Sequence, residues 1–355
     1  MTLVIGISAV LLSNANGQTA VNSEPFRTYA FSDAVQSVEA VTTNGRIIIN
    51  GSNSSDIVVE MFVWHNVNHA GGVRATIRSA FRNNRTYYED IKQILEEHFT
   101  IDIRVENGKL YAIARPRNLR AVQRLSISFR ISVPQEVNST VQTSNANVQI
   151  RNLAGSHNIR TSNGSVTIEN VSGRITGRTS NGSITITNSS DDINLTTSNG
   201  RITANDLQGN IILRTSNGGV TMNNLNGTIS ATTSNGGVTA NNINGGLRVA
   251  TSNGGVRLEN VSGNVNARTS NSAVNVTMAS VNDYVILSTS NGNVNLSLPA
   301  NQGYDLNVRA QGVQTNGLAN FSGRMDNRRI DGRTGNGGTR IDVSTSLGRA
   351  RLTFR

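Results

Sequence analysis

No cysteine occurs anywhere in the chain. Disulfide staples are therefore excluded, as is the lipobox cysteine of a lipid-anchored precursor. Aromatic residues make up only 4% of the 355 residues, and there are 4 prolines. So few large apolar side chains cannot fill the wide core of a compact globule this long, but Val, Ile and small residues can fill a narrow one. Lysine is nearly missing too, with Lys92 and Lys109 alone, so the net charge of +10 is carried by arginine. Such basicity favours anionic partners. The arginines are spread along the sequence, however, without a basic tract or an interleaved aromatic platform, and no nucleic acid is expected as a partner.

Long hydrophobic runs are also scarce. The one candidate, Leu3 to Leu12, has the length of a signal-peptide core and is too short to span a bilayer. Small residues follow at Ser13-Asn14-Ala15 and Ala15-Asn16-Gly17, suited to cleavage, although the usual basic n-region is missing. Residues 1–17 are read as a signal peptide, against the alternative of an apolar first strand. The mature chain is then expected to be exported to the periplasm, cell surface or exterior, with no transmembrane segment.

What the chain has in abundance is a repeat. "TSN" begins at Thr143, Thr161, Thr179, Thr197, Thr215, Thr233, Thr251 and Thr269, always eighteen residues apart, and again at Thr289 after twenty. A fixed period held without insertion means that every unit fills the same volume, which is the mark of a solenoid. With Thr as position 1, position 6 is always Val or Ile, from Val148 and Val166 to Val274. Position 8 is apolar as well (Ile150, Ile168, Ile186), as are positions 15 (Ile175, Ile193, Ile211) and 17 (Leu195, Leu213, Val249). Apolar pairs two apart with a polar residue between them are half-buried strands.

The two pairs lie nine residues apart, and glycines at positions 4 and 13 keep the same offset (Gly164, Gly173). Each coil is thus read as strand–turn–strand–turn. The spacing does not fit a hexapeptide helix, and the corners lack the aspartates of a calcium-binding nonapeptide roll. The expected fold is an all-β, right-handed parallel β-solenoid with 18-residue coils. Asn-Gly within "TSNG" is read as a turn dipeptide through its tolerance of positive φ. Stacked Asn145, Asn163 and Asn181 predict one amide ladder, and position 10 (Asn152, Asn170, Asn188, Asp206) a second.

Outside the array, residues 18–140 read as irregular coils, with "TTNG" at Thr42 to Gly45 as a looser corner. A helical insertion at about 65–99 interrupts them. Tyr88, Ile91 and Leu95 share one helical face, and the helix is expected to cover the edge of the first coil. Regular repeats occupy 141–298. Residues 299–355 read as degenerate coils and a C-terminal cap, with corners at Thr315 to Gly317, Thr334 to Gly338 and Thr345 to Gly348.

The stretches "TTNGRIIINGSNSSDIVVE" and "RISVPQEVNSTVQTSNANVQI", with the recurring "TSNGxVxxxNxxG", carry a family likeness. Over roughly residues 30–355 the chain resembles a bacterial putative-adhesin family, a domain of unknown function with β-strand repeats akin to the head-GIN auto-transporter adhesins. The resemblance implies an exported β-solenoid at the cell envelope.

Candidate chemistry is sparse. Asp191 and Asp192 share a turn and Asp206 replaces an Asn one coil on, so a carboxylate pair of the glycosidase kind is conceivable on a solenoid. Aspartate at a turn is more often a cap, and the short coils offer no long loops to build a cleft. His65 and His69 have i,i+4 spacing but lack a third ligand, and no metal or cofactor is expected. Candidate binding residues are the outward positions: Thr167, Thr185, Thr203, Thr221 and Thr239 at position 7, and Arg160, Arg178 and Arg214 at position 18. Thr is also simply a favourable strand residue. The sequence thus points to a non-enzymatic structural or adhesive module that meets glycans, cell-surface polymers or its own copies. A carbohydrate-active enzyme and a self-assembling coat or filament protein are the alternatives.

Overall fold

The computed structural model describes residues 3–5, 24–65, 84–118 and 125–355. The chain divides into two compact units, residues 1–167 and 168–355. In the first, β1 (Leu3–Ile5) lies antiparallel to β2 (Arg27–Phe31). β3 (Ser37–Val41) and β4 (Ile47–Ser52) are the halves of one coil, turning at "TTNG". There follow β5 (Ile57–His65), α1 (Asn84–His98), β6 (Phe99–Glu106), β7 (Lys109–Pro116), β8 (Leu125–Pro134), β9 (Asn138–Gln142) and β10 (Val148–Arg160).

Stacking in this unit does not follow chain order. The β3–β4 coil lies between two others, with β3 parallel to both β7 and β9, and β4 parallel to both β8 and β10. Beyond them the pairing turns antiparallel: β5 on β8, β2 on β5, and β6 on β7. Antiparallel partners satisfy the backbone of the outermost coil without extending the parallel stack. The edge cover expected of the helix is therefore supplied by strands. Ile91 and Leu95 of α1 are buried, while the side chain of Tyr88, and residues 66–83, lie outside the described residues. The proposed leader falls largely outside them as well, apart from the strand Leu3–Ile5.

The second unit takes in most of β11 (Val166–Arg178), then β12 (Ile184–Thr196), β13 (Ile202–Arg214), β14 (Val220–Thr232), β15 (Val238–Ala250) and β16 (Val256–Arg268). From β12 onward, parallel pairing sets Ile184 beside Ile202, then Val220, Val238 and Val256. The array is a parallel β-solenoid, as its period requires. The two strands of each coil run on as one 13-residue strand. Their expected second turn is a kink, where the ladder skips position 10 and Asn188, Asp206, Asn224, Asn242 and Asn260 hold φ of 48–56°. Asn tolerates this left-handed region better than any residue but Gly. Three residues on, Gly209, Gly227, Gly245 and Gly263 hold φ of 123–127°.

Positions 6, 8, 15 and 17 are buried throughout, and so is a fifth column that alternation did not reveal. Position 11, just past the kink, places Val171, Leu207, Leu225, Ile243 and Val261 at no more than 2% exposure. Each such side chain contributes about 1.5–3 kcal/mol through burial.

β17 (Val274–Thr289) absorbs the two extra residues of its coil as register shifts against β16, and β18 (Val294–Leu298) begins the next coil, with Val294 stacked on Val274. β19 (Tyr304–Arg309), β20 (Gly312–Asn316), β21 (Phe321–Met325), β22 (Arg329–Thr334), β23 (Thr339–Thr345) and β24 (Arg349–Phe354) close the unit. Chain order is broken here too. β23 lies parallel between β17 and β19, and β24 between β18 and β20. β22 then pairs antiparallel with β19, and β21 with β22.

Of the three degenerate corners expected here, only Thr345 to Gly348 keeps the corner geometry. Its Thr345 Oγ1 donates to Gly292 O at 2.8 Å and accepts from Gly348 N at 3.0 Å. Gly317, Gly335 and Gly337 instead have φ of 55–72°, so the other two segments are left-handed turns.

Candidate functional site

The recurring corner is built from four distinct demands. Thr197 is buried, and its Oγ1 donates to Gly182 O at 3.0 Å while accepting from Gly200 N at 3.2 Å. Thr215, Thr233 and Thr251 repeat both bonds one coil at a time. Ser180 supplies a carbonyl that accepts from both Ser198 N and Asn199 N. Asn199 Nδ2 donates to Asn181 Oδ1 at 2.7 Å, and Asn217, Asn235, Asn253, Asn271 and Asn291 continue this ladder at 2.6–2.7 Å.

The glycine is favoured by crowding, although Ala146 and Ser272 take its place in two coils. A Cβ on Gly200 would stand 1.9 Å from Gly182 O, and one on Gly218 1.8 Å from Gly200 O. Positive φ, expected at this Asn-Gly pair, is found instead at positions 10 and 13. "TSNG" therefore joins coil to coil, with its polar groups spent on neighbouring coils.

The outward positions lie between the corners. Thr185, Thr203, Thr221 and Thr239 are consecutive partners in the parallel ladder, so they form one straight column. The first three are half-buried and Thr239 is exposed. Thr167 is half-buried at the end of the first unit. The arginines do not make a matching column. Arg214 stands between Thr196 and Thr232, with Nη1 3.5 Å from Asn194 Oδ1. Arg178 is exposed at the end of β11, and Arg160 is exposed on β10 of the first unit, beside Gln142.

Three departures from the repeat gather on neighbouring coils of the second unit. Ser189 occupies the buried apolar position 11, Asp191 the glycine position 13, and Asp206 the asparagine position 10. Ser189 is only 6% exposed; its Oγ donates to Thr187 O and accepts from Val171 N. Asp191 holds a φ of 82°, and its carboxylate accepts from Gly173 N at 2.9 Å and from Ser190 Oγ at 3.3 Å.

Asp206 Oδ1 accepts from Asn224 Nδ2 at 2.8 Å, but a carboxylate has no N–H to donate to Asn188 in the coil before. The second ladder, intact from Asn188 to Asn170 and from Asn260 back to Asp206, is broken between Asn188 and Asp206. An open groove of about 330 Å³ lies there, lined by Asn188, Ser190, Asp206 and Gln208 among others. Asp191 thus serves as a cap, while Asp192 is exposed. The aspartates were visible in the sequence; the groove was not, because Ser189 counts as a departure only once position 11 is known to be buried.

Among the described residues, histidine gives no second site. His65 ends β5, and His69 lies outside the described residues. Among the described residues, no three or more His, Cys, Asp or Glu are gathered to hold a metal, and no helix is long and apolar enough to cross a membrane. His157, at position 15 of the first unit, is 1% exposed with Nδ1 2.9 Å from Ser139 Oγ. Burial lowers its pKa to about 4, so it is a neutral core residue near pH 7.

No curated protein matches the chain. Among solved structures it is similar to a putative cell adhesion protein from Clostridium sporogenes ATCC 15579, at 10% identity over 100% of this chain and 99% of that one, with a TM-score of 0.18. It is also similar to a putative adhesin from Bacteroides fragilis NCTC 9343, at 11% identity over 92% and 96% of the two chains, with a TM-score of 0.22. Superpositions that loose carry no argument about this protein. The family model of Toastrack DUF4097 matches residues 180–352, the stretch of stacked corners and the interleaved final coil.

Proposed function

We propose that the protein is an exported, non-enzymatic binding module of the cell envelope or exterior, which holds a repeating partner such as a glycan or surface polymer through many weak contacts. One observation carries this reading: Thr185, Thr203, Thr221 and Thr239 form an outward column in register. Parallel strands repeat at about 4.8 Å, so the column presents one hydroxyl and one methyl per step on a rigid backing. Each contact is weak, but contacts on one rigid body add without a fresh loss of translational freedom.

A glycan array probed with the chain lacking residues 1–17 tests the proposal. The Thr203→Val/Thr221→Val variant keeps the shape of the column and removes two hydroxyls. Binding weakened about tenfold or more in the variant supports the column; silence of the native chain on every glycan and polymer, or equal binding by the variant, overturns it. Export is checked separately, by fractionating cells and sequencing the mature N-terminus. Recovery of the protein in the cytoplasm with residues 1–17 intact would sink that part.

A further inference from the structure

The last coils gather charge that the sequence disperses. Residues 299–355 hold nine arginines against four aspartates, a net +5 out of +10 for the whole chain. Antiparallel pairing of β19 with β22 then sets Arg309 directly opposite Arg329. Like charges facing each other across a strand pair are destabilising. Arg328 stands next in sequence, and its carbonyl accepts from Ala310 N at 3.0 Å, which locks the turn against the end of β19.

Compensation is incomplete. Arg329 is bonded to Asp331, yet its Nε is buried with no partner. Asp326 accepts the backbone N–H of both Arg328 and Arg329 and pairs its side chain with Arg324. Among the described residues, Arg309 and Arg328 are exposed and form no ion pair. The three arginines line an open groove of about 480 Å³ together with Gln311 and Ser346. Gln311 is tied to Ser346 O through Nε2 at 3.1 Å, so the far wall is fixed.

We infer that this groove is an anion subsite, in which Arg309, Arg328 and Arg329 take a carboxylate or phosphate group of an acidic polymer. Guanidinium forks match both groups bidentately, and a bound anion relieves the Arg309–Arg329 opposition. The inference rests on the binding-module reading and names the chemistry of one part of its partner. It does not depend on the threonine column.

The test uses the purified full chain with polygalacturonate, long-chain polyphosphate and neutral dextran, at low and moderate salt. Native protein is expected to bind at least one polyanion in a salt-sensitive way and to ignore dextran. Polygalacturonate alone would identify the carboxylate, polyphosphate alone the phosphate, and both a general anion site. Arg309→Gln/Arg328→Gln is expected to weaken binding by about tenfold or more, with a melting temperature equal to or above native because a repulsion is removed. Arg201→Gln/Arg248→Gln makes the same change in net charge at exposed positions elsewhere and is expected to cost less than about twofold. Should the first pair lower the melting temperature, Arg328→Gln alone, outside the strands, carries the test.

The inference is overturned if neither polyanion binds, if the groove variant binds as native does, or if the control pair loses as much. Thr203→Val/Thr221→Val is measured alongside and reads the column alone, so failure of one site is told apart from failure of the other.

Discussion

His157 offers a test of the core in which sign and size both follow from the structure. It sits in a column that other coils fill with Ile175, Ile193 and Ile211, 1% exposed, with Nε2 unpartnered and a pKa lowered from 6.5 to about 4. A depressed histidine pKa means that the unfolded chain binds the proton more readily than the folded one. The resulting stability is therefore fully present above pH 6.5 and is lost as pH falls towards 4. At pH 5 the loss is about 2 kcal/mol, rising to about 3 kcal/mol near pH 4.

The perturbation is Ser139→Ala/His157→Ile, which restores the apolar column and removes the serine hydroxyl that would otherwise be orphaned. Urea unfolding of native and variant chains at pH 7.5 and pH 5.0 gives the assay. Carboxylates elsewhere act equally on both proteins, so the difference between the two pH dependences reads His157. The variant is expected to lose about 2 kcal/mol less than native between these pH values. Superposable pH dependences would refute the reasoning, and so would a direct titration of His157 near 6.5.

The remaining predictions separate corner from surface. Gly218→Ala forces a methyl group to 1.8 Å from Gly200 O and is expected to destabilise by about 3 kcal/mol or more, whereas Gly246→Ala, with nothing within 4 Å, should stay within about 0.5 kcal/mol. Urea midpoints compare the two; similar costs would mean that crowding does not select the corner glycine. Thr233→Val preserves shape but leaves Gly218 O and Gly236 N without their hydroxyl partner, at an expected cost of about 1–3 kcal/mol. Thr221→Val on the outward face should be near neutral in the same assay, and equal losses would show that the hydroxyl bonds of the corner add nothing.

The array was legible because one unit is written many times. Eight repetitions of Thr-Ser-Asn at a constant interval fix the period, and Val or Ile at position 6 in each of them fixes an inward column. Position 11 escaped because the kink at Asn170 or Asn224 inverts the alternation, so that a residue five places beyond position 6 also points inward. The role of the corner glycine escaped for a related reason. Asn-Gly has the same local signature whether a turn needs positive φ or a neighbouring backbone needs space, and only the stacked coil decides between them.

Chain ends were the least legible, because pairing there links residues far apart in sequence. Nothing near Ser37 announces that its strand will lie between Lys109 and Asn138, nor does Arg340 announce a place between Tyr284 and Asp305. The basic groove depends on the same rearrangement. Arg309 and Arg329 are twenty residues apart and meet only because β22 folds back on β19.

That both units end in the same way has a physical reason. A parallel solenoid that simply stopped would leave one coil with a full row of unpaired backbone groups, a template for adding further chains. Here the terminal coils are held on one side by a coil brought in from elsewhere in the chain, and on the other by an antiparallel strand. Interleaving gives the penultimate coil a partner on both sides even if the outermost strands fray. The antiparallel layer then changes the hydrogen-bond pattern, so a second copy cannot continue the eighteen-residue register. The asparagine ladder is stopped by the same logic. Its next rung after Asn291 is Leu347, 68% exposed, in a corner that keeps the Thr and Gly bonds but offers no amide. These features disfavour a subunit that grows by adding copies at its ends, and they leave the outward strand positions and the arginine groove as the surfaces proposed for a partner.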